Sequence, residues 1–247
     1  MKKKPNLVAH RGYAALYPEN SMSAFQAAVD CGCLYLELDI QLSQDLVPVI
    51  IHDISMMRTG DVSIDVVSHR FEYLSQFNIG ERTRFGEQFV TEKLTSLSDF
   101  SLWLSHYPNV KVFVEVKEES IHYFGNKTVF QKTMEAINGI HDQVFLISFD
   151  AGFLFYAKQY GDLPVGYILH RYDSESHSTA IKLQPEILIC NYQKIPDEEN
   201  ALWQDSWDWF LYEITDPALA MRWANRGVSY IETMEIKPML EVILSEV

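Results

Sequence analysis

The most informative stretch of the 247-residue chain reads Leu34-Tyr35-Leu36-Glu37-Leu38-Asp39-Ile40. Successive side chains of a β-strand point to opposite faces, so the leucines and Ile40 share one face while Tyr35, Glu37 and Asp39 share the other. An apolar face of this kind packs against helices, and the carboxylate face is left to line a polar site. The stretch therefore predicts a buried strand that presents two carboxylates to a site.

A second strand candidate repeats the pattern. In Val112-Phe113-Val114-Glu115-Val116-Lys117, the same alternation places Phe113, Glu115 and Lys117 on one face. The charged residues again lie at the C-terminal end of an apolar run. Together, the two strands are expected to deliver three carboxylates and one ammonium group to the same place.

The segment after the first stretch adds a histidine. Only a few residues around Asp45 separate strand candidates 34–41 and 47–52, too few for a parallel crossover, so the two strands form an antiparallel hairpin. With the turn centred between Asp45 and Leu46, Asp39 lies opposite His52 and both side chains share a face. His10-Arg11 ends the first strand candidate and is expected at the same mouth.

Nine strand candidates alternate with amphipathic helix candidates such as 21–31, 97–104 and 217–226. If the third candidate is the return arm of a hairpin, eight parallel strands remain, which is the number that closes a (β/α)8 TIM-type barrel of the α/β class. An open doubly wound sheet is the alternative, disfavoured because no glycine-rich phosphate loop follows the first strand. The strand candidates are 7–10, 34–41, 47–52, 110–117, 144–148, 165–169, 187–191, 209–214 and 228–232.

Residues 54–96 interrupt this alternation with a polar segment that contains Gly60, Gly80 and Gly86. An unstructured loop of this length is unusual in a compact domain, so an inserted subdomain or lid is expected. The predicted organisation is a single barrel domain over residues 1–247 that carries this insert.

The charge of the chain restricts its partners. Its 20 Lys and Arg residues against 34 Asp and Glu residues give a formal net charge of -14, which argues against nucleic acid as a partner. No apolar run is long enough to span a membrane, and the basic Met1-Lys2-Lys3-Lys4 is not followed by the apolar core of a signal peptide. We therefore expect a cytoplasmic protein that acts on a small molecule; its oligomeric state is not predicted.

The clustered carboxylates Glu37, Asp39 and Glu115 require a counter-charge, and three oxygen ligands without a nearby cysteine favour Mg²⁺ or Ca²⁺. One divalent cation, the cationic Arg11 and Lys117, and two histidines suit a phosphodiester, because one imidazole can accept a proton while the other donates one. An elimination on a carboxylic acid, as in enolase-type barrels, would use similar groups. The spacing alone leaves the reaction open.

Several separated motifs resemble the glycerophosphodiester phosphodiesterase family: Ala9-His10-Arg11-Gly12, Pro18-Glu19-Asn20-Ser21, Glu37-x-Asp39, His52-Asp53, Arg58-Thr59 and Glu115-x-Lys117. The resemblance implies a TIM-type barrel with a small insert and the hydrolysis of glycerophosphodiesters to glycerol 3-phosphate and an alcohol. It also implies a route in which the glycerol hydroxyl attacks phosphorus and a cyclic phosphate is then opened by water.

The resemblance further assigns roles to individual residues. It implies that Glu37, Asp39 and Glu115 bind the metal, that His10 and His52 are the acid/base pair, and that Arg11 and Lys117 contact phosphate, with Glu19 and Asn20 in supporting positions.

The chain departs from the family pattern in two places. Asp45-Leu46 stands where the family usually has Asp-Gly, and Tyr212-Glu213 where it often has Trp followed by Thr, so Tyr212 is either a substrate-facing or a core aromatic. Two other functions stay open, a lysophospholipase D-like phosphodiesterase acting on lysophospholipids and a non-catalytic barrel that binds glycerophosphodiesters.

Overall fold

A computed structural model describes residues 4–198 and 201–245. Most of the basic N-terminal segment (residues 1–3) lies outside the described residues, as do residues 199–200 and 246–247. None of the described helices is both long and apolar enough to cross a membrane.

The described residues form one sheet of nine strands. Eight of them run parallel, and the pairing of β1 with both β2 and β9 closes the sheet into a barrel. This confirms the predicted (β/α)8 TIM-type fold and all nine strand candidates. The strands are β1 (Asn6–Ala9), β2 (Tyr35–Leu42), β3 (Pro48–Ile50), β4 (Lys111–Val116), β5 (Val144–Ser148), β6 (Val165–Ile168), β7 (Ile187–Asn191), β8 (Asp208–Tyr212) and β9 (Val228–Thr233).

Helices cover the outside of the barrel, and the predicted helices 21–31, 97–104 and 217–226 are all present. Their ends follow local chemistry: the Ser21 hydroxyl accepts from the Ala24 amide at the start of α1, and Pro217 occupies the first turn of α10. The helices are α1 (Met22–Asp30), α2 (Met57–Gly60), α3 (Phe71–Leu74), α4 (Arg82–Phe85), α5 (Leu97–Leu104), α6 (Glu118–Phe124), α7 (Asn126–Ala136), α8 (Ala151–Tyr160), α9 (Ser174–Leu183), α10 (Pro217–Asn225) and α11 (Ile236–Ser245).

The segment that joins β7 to β8 differs from the prediction that helices connect the consecutive parallel strands. Its described residues contain only a short 3-10 turn, Tyr192–Lys194. Aromatic packing replaces the helix: the ring of Trp203 stacks on Tyr172 with 4.1 Å between centroids and on His177 at 4.5 Å.

The hairpin exists, but its predicted register was wrong by one residue. Ile40 pairs with Ile50, so Asp39 lies opposite Ile51 and not His52. The turn is a three-residue loop that ends on Leu46 in the left-handed conformation (φ 64°), whereas the prediction assumed a two-residue turn. His52 still reaches the barrel mouth, because β3 ends at Ile50 and His52 lies in a bend beyond it.

Residues 54–96 hold three helices of four residues each, α2, α3 and α4, and a 3-10 turn at Val66–Ser68. They pack on the hairpin around a small apolar cluster that includes Val49, Met56 and Leu74. The division of residues 1–247 into one barrel domain with an inserted subdomain or lid at 54–96 stays a prediction.

Two further cores support the barrel. The larger lies between the strands and the outer helices, and the smaller fills the barrel interior below the mouth. The interior core comprises Val8, Phe113, Ile147, Ile168, Ile187, Ile189 and Phe210.

Candidate active site

A cavity of about 210 Å³ opens at the C-terminal ends of the barrel strands. His10 and Arg11 follow β1, Glu37 lies in β2, and Glu115 is the second-last residue of β4. The structure thus brings together most of the residues predicted from the sequence. The lining comprises His10, Arg11, Glu37, His52, Glu115, Lys117, Ile147, Phe149, Ile168, Ile189, Phe210, Tyr212, Glu213 and Glu232.

Three buried carboxylates form the centre of the charged wall. One oxygen from each of Glu37, Asp39 and Glu115 lies within 4.8 Å of the other two. Lys117 Nζ donates to Glu115 Oε1 at 2.6 Å and lies 3.4 Å from Asp39 Oδ1, and Arg11 Nε lies 3.0 Å from Asp39 Oδ2. The two cations predicted to contact phosphate therefore already face the predicted metal ligands.

The electrostatics of these carboxylates differ. Burial, followed by the neighbouring Asp39, raises the pKa of Glu115 to about 7, and the same two causes raise the pKa of Glu37 well above its usual range. Burial also opposes ionisation of Asp39, but Arg11 and Lys117 outweigh it and hold the pKa of Asp39 well below its usual range. The positive charges of Arg11 and Lys117 thus do not fully balance the negative charge that three ionised carboxylates would carry.

The donor set fits a hard divalent cation. Ligands that share one Mg²⁺ or Ca²⁺ lie about 2.0–2.6 Å from it, so the oxygens of neighbouring ligands must lie within about 5 Å of each other. The spacing of the Glu37, Asp39 and Glu115 oxygens meets this condition. A cation there would also stabilise the ionised forms that burial disfavours.

Arg11 lies in the loop after β1 and has an unusual backbone conformation. The backbone of Arg11 is left-handed (φ 53°), and the Arg11 amide donates to Glu37 Oε2 at 3.0 Å. Gly12 follows with φ 80°, and a Cβ atom there would come within 2.6 Å of the Ala24 backbone carbon. Only glycine fits this position, so the loop can pass close to Ala24 directly after Arg11.

Asn20 supports the cluster from the start of α1. Its side-chain amide donates to Asp39 Oδ2 at 2.9 Å, and its carbonyl oxygen accepts from the Asp39 amide at 3.2 Å. The Asn20 amide donates to the Arg11 carbonyl at 3.0 Å. Asn20 thus contacts both Asp39 and Arg11, and its supporting role stays a prediction.

Glu19 links Arg11 to the segment 54–96. It accepts from Arg11 Nη1 at 2.8 Å and from both terminal nitrogens of Arg58 at 2.7 and 2.8 Å. The Glu19 amide donates to Glu81 Oε1 at 2.6 Å. Glu19 is therefore an ion-pair partner of Arg11 and Arg58 and not a member of the carboxylate cluster.

The two histidines lie in different surroundings. His52 Nδ1 lies 2.6 Å from Asp53 Oδ1, and Asp53 in turn accepts from Arg58 Nε at 2.7 Å. His10 is more buried, and burial followed by the charge of Arg11 lowers its pKa to about 3, which keeps the imidazole neutral. One histidine is thus oriented by a carboxylate, and the other is held neutral by its surroundings.

Glu232 is a cavity residue that is absent from the sequence-based prediction. It is buried at the end of β9, 3.9 Å from His10 Nε2, and burial raises its pKa well above the usual range. In Val228-Ser229-Tyr230-Ile231-Glu232 the period of two places Glu232 on the face of Tyr230, but Val228 shares that face and Ser229 lies on the other, so the clear separation seen around Glu37 is missing. Tyr212 lines the cavity together with Phe149, and Glu213 accepts from Asn191 at 2.6 Å beside it.

A family model described as the glycerophosphoryl diester phosphodiesterase family matches residues 10–229. The chain belongs to this family. The predicted resemblance is thereby confirmed over most of the sequence.

Curated relatives carry the same family name. The chain is 26% identical to "Glycerophosphodiester phosphodiesterase 1" of Bos taurus over 178 residues, which are 72% of this chain and 52% of that protein. It is 29% identical to "Glycerophosphodiester phosphodiesterase" of Caldanaerobacter subterraneus over 147 residues, 60% of this chain and 59% of the relative. The chain thus spans little more than half the length of these relatives.

Solved structures of the family share the fold. The chain matches a phosphodiesterase of Oleispira antarctica in complex with the product sn-glycerol-3-phosphate, with a TM-score of 0.85, 22% identity and 98% coverage of both chains. A putative glycerophosphoryl diester phosphodiesterase of Silicibacter pomeroyi also gives a TM-score of 0.85, at 16% identity, covering 99% of this chain and 94% of that one. At these identities the likeness establishes the barrel fold.

Proposed function

We propose that this chain is a metal-dependent hydrolase that cleaves glycerophosphodiesters to glycerol 3-phosphate and an alcohol. One observation carries the proposal: three carboxylates, two cations and two histidines converge at one cavity of about 210 Å³. The family membership and the product bound in the Oleispira antarctica structure support it.

The charged wall binds the phosphoryl group. Arg11 and Lys117 carry the positive charges, and both lie on the cavity lining. Glu37, Asp39 and Glu115 hold one divalent cation, Mg²⁺ or Ca²⁺. When bound, that cation supplies Lewis-acid stabilisation of the charge on the phosphoryl oxygens. Asn20 and Glu19 keep Asp39 and Arg11 in position.

His10 and His52 carry out the proton transfers. One accepts the proton of the attacking hydroxyl, and the other protonates the leaving alkoxide as its bond to phosphorus breaks. The contact with Asp53 engages Nδ1 of His52, so its Nε2 is the nitrogen left for proton transfer. The attacking hydroxyl belongs to water or to the glycerol itself, in which case water then opens a cyclic phosphate.

A substrate whose leaving group needs no proton can show which of His10 and His52 is the general acid. With a glycerophospho-p-nitrophenyl ester, the alanine variant of the acid should recover most of its activity, whereas the variant of the base should stay inactive. Two variants that stay equally inactive on this ester would contradict the division of roles.

The substrate class is tested by product analysis. Purified protein should release glycerol 3-phosphate from glycerophosphocholine, lose this activity with a chelator and regain it with Mg²⁺ or Ca²⁺. Faster release of choline from lysophosphatidylcholine than from glycerophosphocholine would favour the lysophospholipase D-like alternative. Binding without any product would favour a non-catalytic barrel. A cytoplasmic location also stays a proposal, which cell fractionation tests.

A further inference from the structure

The cavity has an ionic half and an apolar half. Around the barrel, strands β1, β2 and β4 supply most of the charged groups, while β5 to β8 supply Ile147, Ile168, Ile189, Phe210 and Tyr212. Glu213, which follows β8, adds a carboxylate to that side, but Asn191 donates to it. Strand β9 lies between β8 and β1. Its Glu232 therefore stands at the boundary between the two halves.

Glu232 is a buried carboxyl group whose side chain makes no hydrogen bond to any residue that the structure describes. Its side chain is 5% exposed and lines the cavity, and His10 Nε2 lies 3.9 Å away, beyond hydrogen-bonding distance. Its main chain is fixed, because the Ile214 amide donates to the Glu232 carbonyl at 3.1 Å. Buried polar groups in native proteins are nearly always satisfied, so Glu232 must find its partner, ligand or water, in the cavity that it lines.

The surroundings restrict what that ligand group can be. In its ionised form the Glu232 carboxylate would repel the phosphoryl oxygens that Arg11 and Lys117 attract. In either ionisation state Glu232 has an oxygen that accepts a hydrogen bond, so the partner that suits both forms is a hydrogen-bond donor. The apolar half next to it suits the carbon chain of a small alcohol. A hydroxyl on that chain satisfies both conditions at the boundary.

We propose that Glu232 accepts a hydrogen bond from a hydroxyl of the glycerol portion of the substrate, and so makes the site selective for a polyol phosphate. This inference rests on the proposed function, because it places the phosphoryl group at the ionic wall. The competing occupant is a second cation: ligand atoms of His10, Glu37 and Glu232 also lie within 4.8 Å of one another.

Ligand binding tests the inference without turnover. Isothermal titration calorimetry, with Mg²⁺ present, should compare sn-glycerol 3-phosphate with n-propyl phosphate, which has the same carbon chain but no hydroxyls. Wild-type protein should bind glycerol 3-phosphate about 10- to 100-fold more tightly. Glu232→Ala should lower this ratio at least about tenfold, and Glu232→Gln should retain part of it, because an amide oxygen still accepts.

The ratio is the decisive readout, since removing a negative charge can change the affinity for both anions. The matched control is Glu213→Gln. The Glu213 carboxylate also lines the cavity but already accepts a hydrogen bond from Asn191, so this variant should show the same affinity ratio as the wild type. Thermal unfolding by circular dichroism should show that each variant is folded; no buried hydrogen bond within the described chain is lost on replacing Glu232.

Three results would overturn the inference. The first is a wild-type protein that does not discriminate between the two ligands. The second is a ratio unchanged by Glu232→Ala. The third is a fall in the number of bound divalent ions from two to one in that variant, which would assign Glu232 to a cation. Selectivity that depends on Glu232 in a protein that releases no glycerol 3-phosphate would refute the proposed function and leave the inference standing.

Discussion

Arg58 connects the two sides of the candidate site. Its guanidinium binds Glu19, which pairs with Arg11, and Asp53, which contacts His52. Arg58→Ala should lower kcat/KM about 10- to 100-fold, as expected for a residue that positions the groups in direct contact with the ligand. Arg58→Lys should recover only part of this loss, because an ammonium group cannot bridge two carboxylates as a planar fork does. Steady-state kinetics on glycerophosphocholine measure both.

The matched control for Arg58 is Arg70, an exposed arginine that also lies in segment 54–96 and pairs with Asp45 at 3.6 Å. Arg70→Ala should keep wild-type kinetics. If Arg58→Ala did so as well, Arg58 would have no positioning role.

The pH dependence of stability should report on Glu19. Burial acts to raise its pKa, but hydrogen bonds from Arg58 and the charge of Arg11 outweigh burial and lower the pKa below the usual 4.5. A carboxyl group with a lowered folded-state pKa stabilises the protein above pH 4.5, and this contribution is lost as pH falls through the folded-state pKa. Glu19→Gln should therefore lower the free energy of unfolding at pH 7, and the deficit should shrink towards about pH 3.5.

Urea unfolding of both proteins at these two pH values measures the deficit. A deficit that stays constant with pH would mean that the charge of Glu19 does not contribute to stability.

At the level of single residues, alternation in strands located Glu37, Asp39 and Glu115 from the sequence alone. The same rule did not single out Glu232 in β9, because one carboxylate shares its face with Val228 and Tyr230 while Ser229 lies on the opposite face. The ion pairs of Glu19 with Arg58, and of Asp45 with Arg70, join segments far apart in the chain. No local pattern encodes such pairings, so they required the three-dimensional structure.

At the level of elements, the end of α9 offers a test of backbone strain. Gln184, its exposed C-cap residue, is left-handed with φ 46°. This conformation costs a non-glycine residue about 1 kcal/mol, partly offset by the greater freedom of glycine in the unfolded chain. Gln184→Gly should therefore stabilise the protein by about 0.5–1 kcal/mol and raise Tm by about 1–4 °C.

Differential scanning calorimetry measures this change. Gln184→Ala is the control and should give no gain, because alanine is strained in the same way. Equal Tm values for the glycine and alanine variants would contradict the argument.

The strands could be predicted from the pattern of the sequence, whereas the backbone geometry of the hairpin turn could not. The nine strands were predictable because each is an apolar run of suitable length. The hairpin register was not, since it depends on Leu46 adopting a conformation that glycine or asparagine usually takes. The four-residue helices of segment 54–96 are too short to leave a periodic pattern.

At the level of the whole molecule, a bound cation should stabilise the fold. Mg²⁺ or Ca²⁺ at about 100 times its Kd should add about 2.7 kcal/mol and raise Tm by about 5–10 °C. Glu37→Gln should abolish this rise, and the exposed Glu241→Gln should leave it intact. Thermal unfolding with and without the metal checks this, and an equal rise in both variants would show that the ion binds elsewhere.

The central claim is that His10 and His52 perform acid/base catalysis on a glycerophosphodiester at the mouth of this barrel. The most direct measurement is the release of sn-glycerol 3-phosphate from glycerophosphocholine by the wild type, His10→Ala and His52→Ala, each with Mg²⁺ or Ca²⁺ present. The wild type should release product, and each variant should lose about 10²- to 10⁴-fold in kcat. Undiminished turnover by both variants would contradict the claim.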